Sequence, residues 1–106
     1  MQCIPLTRHL GAEVHGVDLN REPQAEFAGS LHRALLQYGV LVFPGQALQP
    51  AAHVALGRML GPLARAHPMY PKVAGFEDII IIRNDAHTPP ENTVWHSDLS
   101  CHALPP

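Results

Sequence analysis

Residues 39–50 read GVLVFPGQALQP, and this stretch holds the end of one predicted element, a second element and the start of a third. Gly39 is typical of the position that ends a helix, and the apolar run VLVF after it predicts a short buried strand. The pair Pro44-Gly45 predicts a turn directly after that strand. Because proline is favoured in the first turn of a helix, Pro50 predicts the start of another helix.

Two amphipathic helices are predicted, one on each side of this stretch. The first spans residues 23–38, and its apolar residues recur at near-helical spacing, so they would share one face. That face consists of Phe27, Leu31, Leu35 and Tyr38. The second helix spans residues 50–60 and is ended by Gly61-Pro62. Its apolar side consists of Ala52, Leu56, Met59 and Leu60.

Short strands are predicted near both ends of the chain. Alternating apolar residues in the first 19 positions predict one or two strands, with Gly11 and Gly16 as bends. Residues 64–77, rich in His, Pro and Gly, are expected to be irregular. The run DIIIIRN, residues 78–84, predicts a strand buried on both faces, because four consecutive isoleucines leave no polar side. The sequence therefore predicts a mixed α+β fold.

Composition narrows the class of protein. A chain of 106 residues with 46% hydrophobic and 15% charged residues predicts one small domain with a packed core. A net charge of −2 without a basic block argues against nucleic acid as a partner. The apolar runs are too short to span a membrane, and the N-terminus does not resemble a secretory signal. Two cysteines, Cys3 and Cys101, do not form a disulfide framework, so a cytoplasmic location is expected.

The stretch WHSDLSCH, residues 95–102, contains the candidate chemistry. In an extended segment residues two apart project to the same side, so His96 and Asp98 could reach one metal ion. An imidazole and a carboxylate suit Fe(II), Mn(II) or Zn(II), and a 2-His-1-carboxylate site needs one further histidine. The same tripeptide also fits a polar loop. Cys101 and His102 lie close and could ligate too, although a zinc site would normally show a second ligand pair at short spacing. His87 is interpreted as a loop residue.

Five stretches in a fixed order resemble the N-terminal part of the taurine dioxygenase (TauD/TfdA) family of Fe(II)/2-oxoglutarate-dependent dioxygenases. They are GAEVHGVDL (11–19), GVLVFPGQALQP (39–50), ALGRMLGPL (55–63), HPMYP (67–71) and NTVWHSDLSCHALPP (92–106). The resemblance covers essentially the whole chain. It implies that residues 1–106 are the N-terminal portion of a single double-stranded β-helix, or jelly-roll, domain with flanking helices, incomplete in this chain.

The resemblance also implies a site and a reaction. His96 and Asp98 would be the first two iron ligands, while the third ligand and the arginine that pairs with 2-oxoglutarate would follow residue 106. The expected reaction hydroxylates a small anionic substrate, such as taurine or another alkyl sulfonate, and releases succinate and CO2. His67, Tyr70, Asn92 and the backbone N–H of Leu99 would bind that substrate. Trp95 is interpreted as a packing residue that excludes water.

Three functional hypotheses follow. The leading one is a dioxygenase of this family, often a homo-oligomer, of which the 106-residue chain alone is expected to be inactive and prone to associate through the Ile79–Ile82 strand. The second is a non-catalytic remnant of the family that acts as a binding or oligomerising module. The third is a different metal-binding module that uses His96, Asp98 and His102 within one chain or across a dimer.

Overall fold

A computed structural model describes residues 1–21, 25–64, 68–87, 89–90 and 94–96 of the chain. They form two compact units, Met1–Leu63 and Ala64–Pro106. The elements, in chain order, are β1 (Gln2–Pro5), β2 (Ala12–His15), α1 (Ala25–Tyr38), β3 (Leu41–Val42), α2 (Pro50–Leu60), β4 (Lys72–Val73) and β5 (Phe76–Ile80). The mixed α+β prediction is confirmed, and the jelly-roll architecture stays a prediction.

The first unit contains a three-stranded sheet with β2 in the middle. Strand β1 runs antiparallel to β2, with Cys3 opposite Val14. Strand β3 runs parallel to β2, with Ala12 opposite Leu41, and α1 makes the crossover between them. Such a crossover is required because parallel neighbours cannot be joined by a tight turn.

The core of this unit is formed mainly by residues of β2 and α1. Ala12 and Val14 of β2 are almost completely buried, as are Leu31 and Ala34 of α1. In β2 the buried Ala12 and Val14 alternate with the half-buried Glu13, so one face of the strand is turned to the core. The predicted core residue Leu31 is therefore confirmed. Leu60, the last residue of α2, is predicted on the apolar side of that helix, but it is 48% exposed.

Gly39 ends α1, as the sequence predicts. Its φ of +71° lies in the left-handed region that favours glycine, and its N–H donates to the Leu35 carbonyl at 2.8 Å. A Cβ at this position would stand only 2.8 Å from Leu10 Cδ1. Helix α2 has the predicted bounds, with proline in its first turn. Neither helix of the described residues is long and apolar enough to cross a membrane.

The second unit contains the antiparallel hairpin β4–β5. Gly75, with a φ of +79°, lies in the tight turn, and Val73 is paired with Phe76. The prediction that residues 64–77 are irregular is therefore wrong for the residues of this hairpin. A two-residue strand such as β4 shows no recognisable period in the sequence, so it was missed. The N–H of Ile81 donates to the Pro71 carbonyl at 2.7 Å, which extends the pairing by one bond at the open end.

The isoleucine strand differs from its prediction in two respects. It begins at Phe76 and ends at Ile80, so Ile81 and Ile82 lie outside it. Burial on both faces is wrong for the described residues: Ile79 and Ile80 are half-buried, and Ile81 and Ile82 are 44% and 64% exposed. A two-stranded sheet cannot bury both of its faces without other elements against them.

Candidate metal and substrate site

The structure describes two of the six candidate site residues, His96 and Tyr70. Four others, His67, Asn92, Asp98 and Leu99, lie outside the described residues, as do Cys101 and His102. Among the residues that are described, no group of three His, Cys, Asp or Glu side chains is placed to hold a metal ion. The described part of the candidate site therefore consists of two side chains and the segments that carry them.

His96 is oriented by the main chain of its own segment. Its Nδ1 lies 2.8 Å from the carbonyl oxygen of Val94. A carbonyl oxygen can only accept, so Nδ1 carries the proton and donates, and in the neutral ring the lone pair is on Nε2. Metal-ligating histidines commonly donate their other ring N–H in this way, which fixes the ring and makes it a better ligand. The geometry of His96 therefore fits an iron ligand that binds through Nε2.

Tyr70 is held at the open end of the β4–β5 hairpin. It directly precedes Pro71, whose carbonyl accepts the Ile81 N–H at 2.7 Å, so its position along the chain is anchored to the sheet. The side chain is 40% exposed. A partly exposed phenol can donate a hydrogen bond to an anion or accept one from an amine. Tyr70 is therefore partly accessible to solvent at this end of the hairpin.

The segment after the hairpin is organised around Asp85. Its carboxylate accepts the backbone N–H of His87 at 2.8 Å and lies 3.3 Å from Arg83 Nε. These contacts are local, and they shape the start of the connection that leads to His96. The side chain of His87 is exposed and outside any helix or strand, so its interpretation as a loop residue is confirmed.

Trp95 does not pack as predicted. Its side chain is fully exposed, with a relative accessibility of 104%, and the neighbouring Val94 is 71% exposed. No described residue covers the indole. The prediction that Trp95 excludes water is therefore wrong for the described part of the chain, because adjacency to a ligand in sequence does not decide which side chain is buried.

A separate cavity of about 460 Å³ lies in the first unit. Its walls are residues 16–19 and 21, together with Phe27 of α1 and the apolar side of α2, including Leu56 and Met59. The sequence assigns Phe27, Leu56 and Met59 to apolar helix faces but gives no sign that they leave a space between them. Asp18 and Arg21, paired at 3.4 Å, form its charged rim.

Comparison with known proteins shows which family the chain matches. The family model for taurine catabolism dioxygenase TauD, TfdA family, matches residues 2–106. An (S)-phenoxypropionate/alpha-ketoglutarate-dioxygenase of Delftia acidovorans is 32% identical over 115 residues, covering 92% of this chain and 36% of that protein. An alkylsulfatase of Acinetobacter baylyi is 29% identical over 101 residues, covering 94% of this chain and 31% of that protein. The chain thus spans about a third of the length of these curated relatives.

Solved structures give the same picture. The crystal structure of a taurine dioxygenase from Burkholderia xenovorans superposes with a TM-score of 0.66 at 37% identity, covering 72% of this chain and 27% of that chain. The crystal structure of AAD-2, in complex with Mn(II) and N-oxalylglycine, superposes with a TM-score of 0.56 at 26% identity, over 58% of this chain and 22% of that chain.

Proposed function

This chain belongs to the taurine catabolism dioxygenase TauD, TfdA family, and from that premise we propose that residues 1–106 form the N-terminal part of one dioxygenase domain of jelly-roll type. Members of the family depend on Fe(II) and 2-oxoglutarate. The proposed reaction hydroxylates a small anionic substrate, while 2-oxoglutarate is converted to succinate and CO2. The 106-residue chain by itself is proposed to be inactive.

The observation that carries this proposal is the ring of His96. It lies within the family match, and its Nδ1 donor to the Val94 carbonyl leaves the lone pair on Nε2, as an iron ligand requires. Asp98, two residues on, would supply the carboxylate of the 2-His-1-carboxylate set. Bound iron would supply the activation of O2, and the protein would hold the metal with positions open for cosubstrate and oxygen.

Substrate binding is proposed for His67, Tyr70, Asn92 and the backbone N–H of Leu99. An imidazole, a phenol, an amide and a backbone N–H are all donors, and together they suit an anionic head group. The names of the relatives support an anionic substrate, because phenoxypropionate is a carboxylate and an alkyl sulfate carries a sulfate group. We propose an alkyl sulfonate such as taurine as the substrate, with sulfate esters and aryloxyalkanoates as the competing classes.

Metal binding tests the first part of the proposal. A longer chain that carries residues 1–106 and the rest of the domain is titrated anaerobically with Fe(II) in the presence of 2-oxoglutarate, and the metal-to-ligand charge-transfer absorption is followed. His96→Ala should abolish the absorption, because it removes one of the few protein ligands. His87→Ala is the matched control, since it removes an exposed histidine of the preceding loop and should change nothing. Equal binding by both variants would disprove the role of His96.

Turnover tests the second part. A longer chain that carries residues 1–106 together with the rest of the jelly-roll domain is incubated with Fe(II), 2-oxoglutarate and taurine, an alkyl sulfate or (S)-phenoxypropionate. Succinate release is measured for each, and the 106-residue chain alone should release none. The proposal expects release that depends on one of these anions and is fastest with the sulfonate. Iron binding without substrate-dependent succinate would leave the metal site standing and refute the substrate assignment. A non-catalytic remnant of the family would show neither iron binding nor turnover.

A further inference from the structure

Two loops of the first unit are joined by side-chain amides. The side-chain amide of Gln46 bonds a backbone donor and a backbone acceptor of residues 17–19. Its Oε1 accepts the Leu19 N–H at 3.1 Å, and its Nε2 donates to the Val17 carbonyl at 3.1 Å. A neighbouring β-strand would offer the same donor and acceptor pair. The side chain of Gln46 therefore makes the hydrogen bonds that a neighbouring strand would make. The bonded residues are 27 and 29 positions apart in the sequence.

Asn20 makes the equivalent pair of bonds from residues 17–20 to the backbone of residues 47–49. Its Nδ2 donates to the Ala47 carbonyl at 3.2 Å, and its Oδ1 accepts the Gln49 N–H at 2.8 Å. Each segment thus supplies one amide side chain and one stretch of backbone to the other. Within the described part of the chain, all four hydrogen bonds between residues 17–20 and 46–49 use one of these two amides.

The paired segments have structural consequences on both sides. Leu19 is only 9% exposed, and Val17 and Leu19 form one wall of the 460 Å³ cavity. Gln49 directly precedes Pro50, the first residue of α2, and its own side chain makes no capping bond to that helix. The bond from Gln49 N–H to Asn20 therefore ties the start of α2 to the cavity wall.

We propose that Asn20 and Gln46 form a single two-part latch that holds residues 17–20 against the start of α2, with the two amides closing and opening together. Asn20 follows Leu19 directly, so the bonds of Gln46 already place it opposite its partners. Ordering the two segments costs conformational entropy, and this cost is the same whether two or four of the bonds form. The formation of one pair of bonds therefore favours the other pair. The latch gives Asn20 and Gln46 a role that is separate from iron and substrate binding.

Hydrogen exchange at two backbone amides tests this coupling. In the wild-type protein, ¹⁵N NMR should show protection of the Leu19 and Gln49 amides, the two donors of the latch. Gln46→Met keeps the length of the side chain and deletes both of its bonds. Exchange at Leu19 should rise directly, and the latch predicts a rise of about threefold to tenfold at Gln49 as well, although its acceptor Asn20 is untouched.

The matched control is Gln49→Met. The side-chain amide of Gln49 reaches only the Ala47 carbonyl, at 3.5 Å within its own segment, so its removal should leave the Leu19 amide protected. The reverse experiment uses Asn20→Leu, which should raise exchange at Leu19, and Asn84→Leu, in the second unit, is its control. If each variant raises exchange only at the amide it bonds directly, the two side chains act independently and the latch is refuted.

A milder variant covers the case in which Gln46→Met does not fold. Gln46→Glu retains the acceptor for the Leu19 N–H and deletes only the donor to the Val17 carbonyl, against which it sets a carboxylate oxygen. The latch still predicts faster exchange at Gln49. Unchanged protection of Gln49 in this folded variant would overturn the proposal.

Discussion

Different interactions stabilise the first unit, Met1–Leu63, and the second unit, Ala64–Pro106. All of the buried apolar residues of the described chain belong to the first unit: Ala12, Val14, Leu19, Leu31 and Ala34. The described part of the second unit is held by hairpin bonds and by local contacts such as those of Asp85, and no side chain there is buried. Every candidate ligand or substrate residue lies in the second unit. Substitutions should therefore separate stability from chemistry.

The largest expected effect tests the core of the first unit. Leu31→Ala should lower the free energy of unfolding by about 2–5 kcal/mol, because Leu31 is 3% exposed and its loss leaves a cavity. Leu36→Ala, in the same helix, is the control: Leu36 is 75% exposed, and its replacement should cost less than about 0.5 kcal/mol. Urea unfolding measures both. Equal losses would show that the first unit has no distinct core.

A smaller effect is expected where α1 ends. Gly39→Ala should cost about 1–3 kcal/mol, since it places a Cβ at a φ of +71° and 2.8 Å from Leu10 Cδ1. Gly45→Ala has the same φ of +71° but meets no atom within 4 Å, so it should cost only the conformational part. The difference in unfolding midpoint isolates the contact with Leu10. A Gly45 variant as damaged as the Gly39 variant would contradict this account.

In the second unit the expected effect is on binding. Tyr70→Phe removes only the hydroxyl of a residue that is 40% exposed, and it keeps the ring. Under the proposed function, loss of one donor should weaken substrate binding roughly tenfold. Tyr38→Phe, in α1, is the control and should leave substrate affinity unchanged. Calorimetric titration with taurine, in the presence of metal and 2-oxoglutarate, distinguishes the two variants when each is made in a longer chain that carries the whole domain.

The smallest effect concerns the hairpin surface. Lys72 Nζ and Glu77 Oε2 are 2.8 Å apart, and the Glu77 side chain is 81% exposed. Glu77→Gln should reduce stability by about 0.2–1 kcal/mol at low salt, and the difference should vanish as the salt concentration rises. Thermal unfolding at two salt concentrations measures it. A large loss that persists in high salt would show that the second unit depends on this pair more than its exposure allows.

Local signals in the sequence predict much of this fold. The bounds of α2 follow from Pro50 and Gly61, and the end of α1 follows from Gly39, because each of these residues acts on its immediate neighbours. Strand β4 is missed, since two residues have no period. The burial of the isoleucine run was predicted wrongly, because the elements packed against a strand decide its burial, and its own composition does not fix them.

The candidate site was predicted mainly from the resemblance to a family and less from local residue patterns. His-x-Asp spacing alone fits a metal site or a polar loop, and the roles of His67, Tyr70, Asn92 and Leu99 come from the resemblance to a family. The hydrogen bond of His96 to Val94, by contrast, is a property of the folded backbone that no residue pattern predicts. Likewise, Asn20 and Gln46 bond residues 27 to 29 positions away, a separation that leaves no periodic pattern.

The acceptor that orients His96 has an evolutionary consequence, because it is a main-chain atom. Every amino acid at position 94 supplies the same carbonyl oxygen, so the bond at 2.8 Å survives any replacement there that keeps the backbone path. The side chains of Val94 and Trp95 take no part in this bond. Position 94 can therefore change its side chain while the acceptor of His96 Nδ1 is kept.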